Sequence, residues 1–345
     1  MGRLAARAQA GHHAGAAAGR RGRPVVTVSR QRWRKIRRVA FYVFLALVAV
    51  LLVRYARSVD WAQVGATLAG YGPGTLAIAI GLTVASYLLY SAYDLAGRRY
   101  ARHDLPTPKV MGIAMLAYAF SLNVGALFGG AGFRYRIYSQ AGLGLGTISR
   151  IVAFAIGTNW MGYLLLAGAL FASGRVRPPP GWPVTGERLP WLGAAMLVAV
   201  VVYLVASHVT HGRVYHVRGH HFRLPSLPLA LLQLALAATN WALMAALVFM
   251  LMPDGVAYAD VLGALLVAAV ASAIAHIPAG IGVQEAVFIA LLGHQVPQPQ
   301  MLAALLAYRA CYYLGPLMVA VAGYALFETR RRNARTPRSS PVRPD

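Results

Sequence analysis

Charge is scarce in this chain, and acidic charge most of all. Asp, Glu, Lys and Arg make up 12% of the 345 residues, about half the share of a typical soluble domain. Only nine residues are acidic, and none precedes Asp60. A chain so poor in charge and 58% hydrophobic reads as a polytopic membrane protein. Cysteine is nearly missing too: Cys311 stands alone, which excludes an intramolecular disulfide and a cysteine-based zinc cluster. Within its aromatic surroundings it reads as a small packing residue. There is no phosphate-cradling Walker loop, nucleophile elbow or HExxH motif, so neither ATP hydrolysis nor a standard hydrolase is indicated. The expectation is a protein that is not an enzyme and carries no cofactor or metal.

The charge that is present is lopsided, +24 in net. Basic residues concentrate in the two tails and between apolar runs, a distribution that suits anionic lipid headgroups rather than nucleic acid. Each Lys or Arg near such a surface contributes about 1 kcal/mol. Residues 1–38 and 328–345 are expected to be disordered cytoplasmic tails around a transmembrane domain spanning 39–327. Docking of a cytoplasmic enzyme is another use for such tails. The sequence does not give the oligomeric state.

Apolar segments near the length of about 20 residues needed to cross hydrocarbon lie at 39–56, 74–93, 110–128, 151–172, 189–207, 229–252, 260–276 and 302–327. Each predicts a helix, because a helix satisfies its own backbone in lipid. Two segments are interrupted. One runs from Asn123 through Gly129, Gly130 and Gly132 to Arg134 and Arg136, and the other from His276 through Pro278, Gly280 and Gly282 to Glu285. Broken helices in corresponding positions of two halves point to a transporter's binding site. If 110–147 and 260–293 are re-entrant hairpins of opposite orientation, more Lys and Arg fall on the cytoplasmic side than with eight full spans, as the positive-inside rule favours. The predicted fold is therefore all-α, with about six full transmembrane helices, two re-entrant hairpins and both termini cytoplasmic; eight full spans are the alternative.

Glu285 is the leading site candidate. An intramembrane carboxylate costs roughly 2.5–3.5 kcal/mol and needs a partner or a substrate. It is expected in the first turn of a helix beginning near Val283, where the dipole contributes about 0.3–1 kcal/mol. Its cation is either a protein arginine that locks the hairpins together or an amine of the substrate. Arg134 and Arg136, with Tyr135 and Tyr138 beside them, suit a phosphate held by paired guanidinium donors, or ordinary interfacial snorkelling. Arg309, deep in the last span, pairs with Glu285 or contacts a lipid phosphate. Asn123, His276, Tyr308 and Tyr312 are secondary candidates. Asp94 is most easily read as an i,i+4 partner of Arg98, and the histidines of 208–221 as part of a basic loop.

These residues resemble the membrane region of the lysylphosphatidylglycerol synthase/flippase family, also called the multiple peptide resistance factor family. The likeness rests on Gly129-Gly130-Ala131-Gly132-Phe133-Arg134-Tyr135-Arg136-Ile137-Tyr138, on His276-Ile277-Pro278-Ala279-Gly280-Ile281-Gly282-Val283-Gln284-Glu285-Ala286, and on Tyr308-Arg309 with Tyr312, Tyr313 and Pro316. It covers roughly 40–327, and it departs at Ala279, where the family often has glycine. The resemblance implies movement of aminoacylated phosphatidylglycerol between leaflets. The family's cytoplasmic synthase domain has no counterpart after the last span, so lipid aminoacylation is not expected. The function expected is a lipid translocase of the bacterial inner membrane acting on a phospholipid. A non-transporting membrane subunit and a small-solute transporter are the alternatives.

Overall fold

A computed structural model describes residues 57, 61–176, 186–210, 214–217, 220–275 and 277–323. The tails, the expected first span at 39–56 and His276 lie outside the described residues. A short helix α1 (Trp61–Ala69) leads into α2 (Pro73–Ala101), α3 (Thr107–Val124), α4 (Gly132–Gln140), α5 (Leu145–Ala172) and α6 (Leu189–Val209). After α6 come α7 (Leu227–Leu251), α8 (Tyr258–Ala275), α9 (Val283–Leu292) and α10 (Gln298–Gly323). Six of these, α2, α5, α6, α7, α8 and α10, are long and apolar enough to cross a membrane. That set includes α8, which the sequence reading placed in a hairpin. One departure from all-α structure is a small antiparallel ribbon, β1 (Val214–Val217) with β2 (His220–Arg223), where the sequence suggested only a histidine-bearing loop.

Small residues bring the helices together, since lipid supplies no hydrophobic drive between them. A Cβ on Gly162 of α5 would sit 2.2 Å from the Cβ of Ala237 on α7, so only glycine permits that crossing. Hydrogen bonds then tie the connections into two ends of the bundle. At one end Tyr100 donates to the carbonyl of Arg223, and Tyr135 shares a 2.6 Å hydrogen bond with Ser149. At the other end Tyr71 donates to the carbonyl of Leu251 at 2.7 Å, while Arg175, Asp260 and His294 line one cavity. Eight single crossings would put residues 94–109 and 208–227 at opposite ends. In the structure they share one.

In each interrupted segment a second helix packs against the first. In the first hairpin α3 ends at Gly125 (φ 99°), a π-helical turn Ala126–Ala131 follows, and α4 returns along α3. The sequence placed this break at Gly130 and Gly132; the structure moves it to Gly125. Gly129 and Gly130 instead allow close approach, since a Cβ on Gly129 would lie 2.1 Å from the Phe120 carbonyl oxygen and one on Gly130 would lie 2.7 Å from Ser121 Oγ. Gly132 opens α4. In the second hairpin α8 and α9 pack together, joined through a short 3-10 turn at Pro278–Gly280 that touches α3. The 10 residues of α9 span about 15 Å, half of the roughly 30 Å hydrocarbon core.

Candidate functional site

The chemistry concentrates where the two hairpins meet their neighbours. In the second hairpin the chain takes left-handed backbone at Ala279 (φ 56°), Gly280 (φ 59°) and Gly282 (φ 82°). The turn leaves carbonyl oxygens without helical donors, and α9 starts at Val283, as its sequence predicted. Glu285 lies in that first turn and accepts from the Gly282 N–H at 2.8 Å. Arg309, midway along α10, closes the tip. Its Nε donates to Glu285 Oε1 at 2.8 Å and its Nη2 to Oε2 at 3.2 Å, while Nη1 reaches the Ala279 carbonyl at 2.8 Å and Nη2 the Gly280 carbonyl at 3.2 Å. Its guanidinium also lies 5.6 Å from the Tyr313 ring centre, within cation–π range. Of the two roles the sequence left to Arg309, the structure shows the pair with Glu285.

The first hairpin carries a second clasp, which sequence reasoning missed. Arg134 is buried, and its Nε donates to Asp94 Oδ1 at 3.2 Å and Oδ2 at 3.0 Å; its Nη2 donates to Oδ1 at 2.9 Å. Tyr138 donates to Asp94 Oδ2 at 2.9 Å, and the Arg134 guanidinium lies 5.7 Å from the Tyr90 ring centre. Tyr90 and Asp94 stand four apart on α2, as Arg134 and Tyr138 do on α4, so each pair shares one helix face. Those two spacings were the available signal. Asp94 does not pair with Arg98, whose Nη1 donates instead to the Leu105 carbonyl and Thr107 Oγ1, both at 3.0 Å. Arg136, two residues beyond Arg134, is on the exposed side of α4. Of the arginines expected to hold phosphate, Arg134 and Arg309 are occupied by protein carboxylates in this conformation.

Between the clasps lies a buried hydroxyl chain. Ser86 on α2 donates to Asn240 Oδ1 at 2.7 Å, and its oxygen meets the Tyr312 hydroxyl at 2.6 Å. Ser86 has one proton, so Tyr312 donates to it, and the Tyr118 hydroxyl lies 2.8 Å from that of Tyr312. Tyr308 stacks on Tyr312 with ring centres 5.4 Å apart, and both are fully buried. Asn123, at the tip of the first hairpin, donates to the Tyr313 carbonyl at 3.2 Å, the common use of a membrane asparagine between helices. Among the described residues no three His, Cys, Asp or Glu side chains gather as a metal site.

Residues 39–320 match the family described as the lysylphosphatidylglycerol synthase TM region. The chain belongs to that family. It is 43% identical over 308 residues to the inner membrane protein YbhN of Escherichia coli K12, covering 89% of this chain and 97% of that one. An uncharacterised protein of Synechocystis is 29% identical over 311 residues, covering 87% of this chain and 96% of the relative. The phosphatidylglycerol lysyltransferase of Staphylococcus haemolyticus is 23% identical over 294 residues, which are 82% of this chain and 33% of that larger protein. Relatives and helices together make this a multi-pass inner-membrane protein of a lipid-associated family.

Proposed function

We propose that this protein is a lipid translocase that moves a phospholipid between the leaflets of the inner membrane. The carrying observation is the Glu285–Arg309 clasp. It ties a strained, broken helix tip to the last span, and both side chains retain about a tenth of their exposure, 10% and 11%. Opening the clasp frees a guanidinium with the fork geometry for phosphate and a carboxylate able to receive an amine. A phospholipid with an amine-bearing headgroup, aminoacylated phosphatidylglycerol among them, matches that pair. The Asp94–Arg134 clasp holds the first hairpin while the second opens.

The orientation follows from charge. Arg98, Arg99, Arg102, Lys109, Arg136, Arg150 and Arg223 gather toward the end holding the 102–106 and 224–226 connections. By the positive-inside rule that end is cytoplasmic in the proposed orientation. The first hairpin then enters from the cytoplasm and the second from outside. An apolar groove between α2, α3 and α10 favours a lipid over a small hydrophilic solute. The test is a leaflet-selective phospholipid probe in proteoliposomes: Glu285→Gln abolishes protein-dependent flipping, and equal rates for variant and wild type overturn the reading.

A further inference from the structure

An apolar groove of about 1040 Å³ opens between α2, α3 and the second half of α10. None of the Asp94, Arg134, Glu285 or Arg309 clasp residues lines it. Its walls include Val84 and Leu88 from α2, Met115 and Leu116 from α3, and Met318 and Val319 from α10. Sequence explains the space. Gly112 contributes no side chain, and a Cβ there would meet nothing within 4 Å. Opposite it, α10 passes through a π-helical turn at Ala310–Leu314, followed by Gly315 and Pro316. The two hydroxyls on the lining are already engaged, Thr83 with the Ala79 carbonyl at 2.9 Å and Tyr87 with the Tyr312 carbonyl at 3.1 Å. What faces the groove is hydrocarbon. Lys109, in the first turn of α3, stands exposed at its basic end.

A groove of this kind gains nothing from water, and its cation selects the sign of what lies at its mouth. We infer that the groove holds an acyl chain of an anionic phospholipid whose phosphate sits at Lys109. This rests on the translocase reading only for the presence of lipid beside the bundle; the groove's lipid is anionic and distinct from the amine-bearing one offered to the clasp. Binding itself is measured apart from movement. The occupant fits on two counts: the lining is apolar along its depth, and Lys109 is the charged group among the lining residues.

The experiment places a photoreactive phenylalanine analogue at Met318, or at Met115, in the full-length protein. The protein is put in nanodiscs that mix phosphatidylglycerol with phosphatidylcholine, and adducts are identified by mass spectrometry after irradiation. Phosphatidylglycerol adducts are expected in excess of its share of the disc. Lys109→Gln should reduce that excess about fivefold, the effect of one basic residue on an anionic lipid. Gly112→Trp should suppress adducts of both lipids, and Gly112→Leu, a smaller intrusion, should do so partly. Adducts that follow the bulk lipid ratio with or without Lys109 overturn the inference. Cross-links to residues 39–56 in place of lipid overturn it too, by giving the groove to the protein's own chain. Adducts that persist in a protein unable to flip lipid defeat only the translocase reading. Flipping without adducts defeats only the groove.

Discussion

In the first hairpin the arginine lies within the hairpin and its carboxylate on a neighbouring span. The second hairpin reverses this, with Glu285 inside and Arg309 outside. The environments differ as well. Asp94 and Arg134 are 0% and 4% exposed, and every donor aimed at Asp94 is a side chain. Glu285 and Arg309 are more open, and part of the arginine's hydrogen bonding goes to backbone carbonyls of a turn. A fully buried pair surrounded by rigid helix faces is a lock. A partly open pair that includes left-handed backbone is a latch, because its partners can exchange protein for water or lipid at lower cost. On this contrast the first hairpin is expected to stay closed and the second to open.

Breaking the lock should have the largest effect. Asp94→Asn leaves a buried guanidinium without its counter-charge and should cost about 3–5 kcal/mol, read as a fall in thermal unfolding temperature in detergent. Adding Arg134→Met should recover most of that loss, since removing both charges removes the desolvation penalty. An unchanged unfolding temperature in Asp94→Asn would erase the distinction between lock and latch. Opening the latch comes next. Glu285→Gln should cost about 1.5–3 kcal/mol, the worth of hydrogen bonds to a charged group, and less than Asp94→Asn in the same assay. Its transport defect should exceed its stability defect.

Smaller effects sharpen the picture of the tip. Ala279→Gly relieves a left-handed alanine and should raise stability by up to about 1 kcal/mol, against a partly opposing loss from the freer unfolded chain. A lower melting temperature would show that the Ala279 methyl packs more than its backbone strains. The smallest effect concerns the lock's surroundings. His103, in the α2–α3 connection, packs edge-on to Tyr138 and accepts from the Leu105 N–H at Nδ1, so its proton sits on a buried Nε2. Burial, reinforced by Arg98, lowers its pKa from the usual 6.5. The unfolded state then binds the proton more readily, so stability is full above about pH 6.5 and declines as pH falls below it. His103→Gln should flatten melting temperature against pH in that range.

Much of the site was legible in the chain. An acid within three residues of Gly282 identifies a helix start, and Gly, Pro and Gly around it identify a break, because these residues act on their own backbone. Arg309 was visible as a charge at a depth where none is expected. Asp94 was not, since Arg98 at i+4 offered a nearer partner than an arginine 40 residues away. The break at Gly125 was hidden for a similar reason: Gly129 and Gly130 look like breakers, yet their role is contact with Phe120 and Ser121.

Membrane spanning, the presence of two broken segments and the depth of Glu285 and Arg309 were all readable in the chain. Those properties depend on composition and local backbone preference. Only folding settles which acid meets which arginine, how the two helices of each broken segment pack together, and that a groove opens beside α10. Such pairings depend on which helix faces come together, and a buried charge in low dielectric takes the partner that geometry offers rather than the one nearest in the chain.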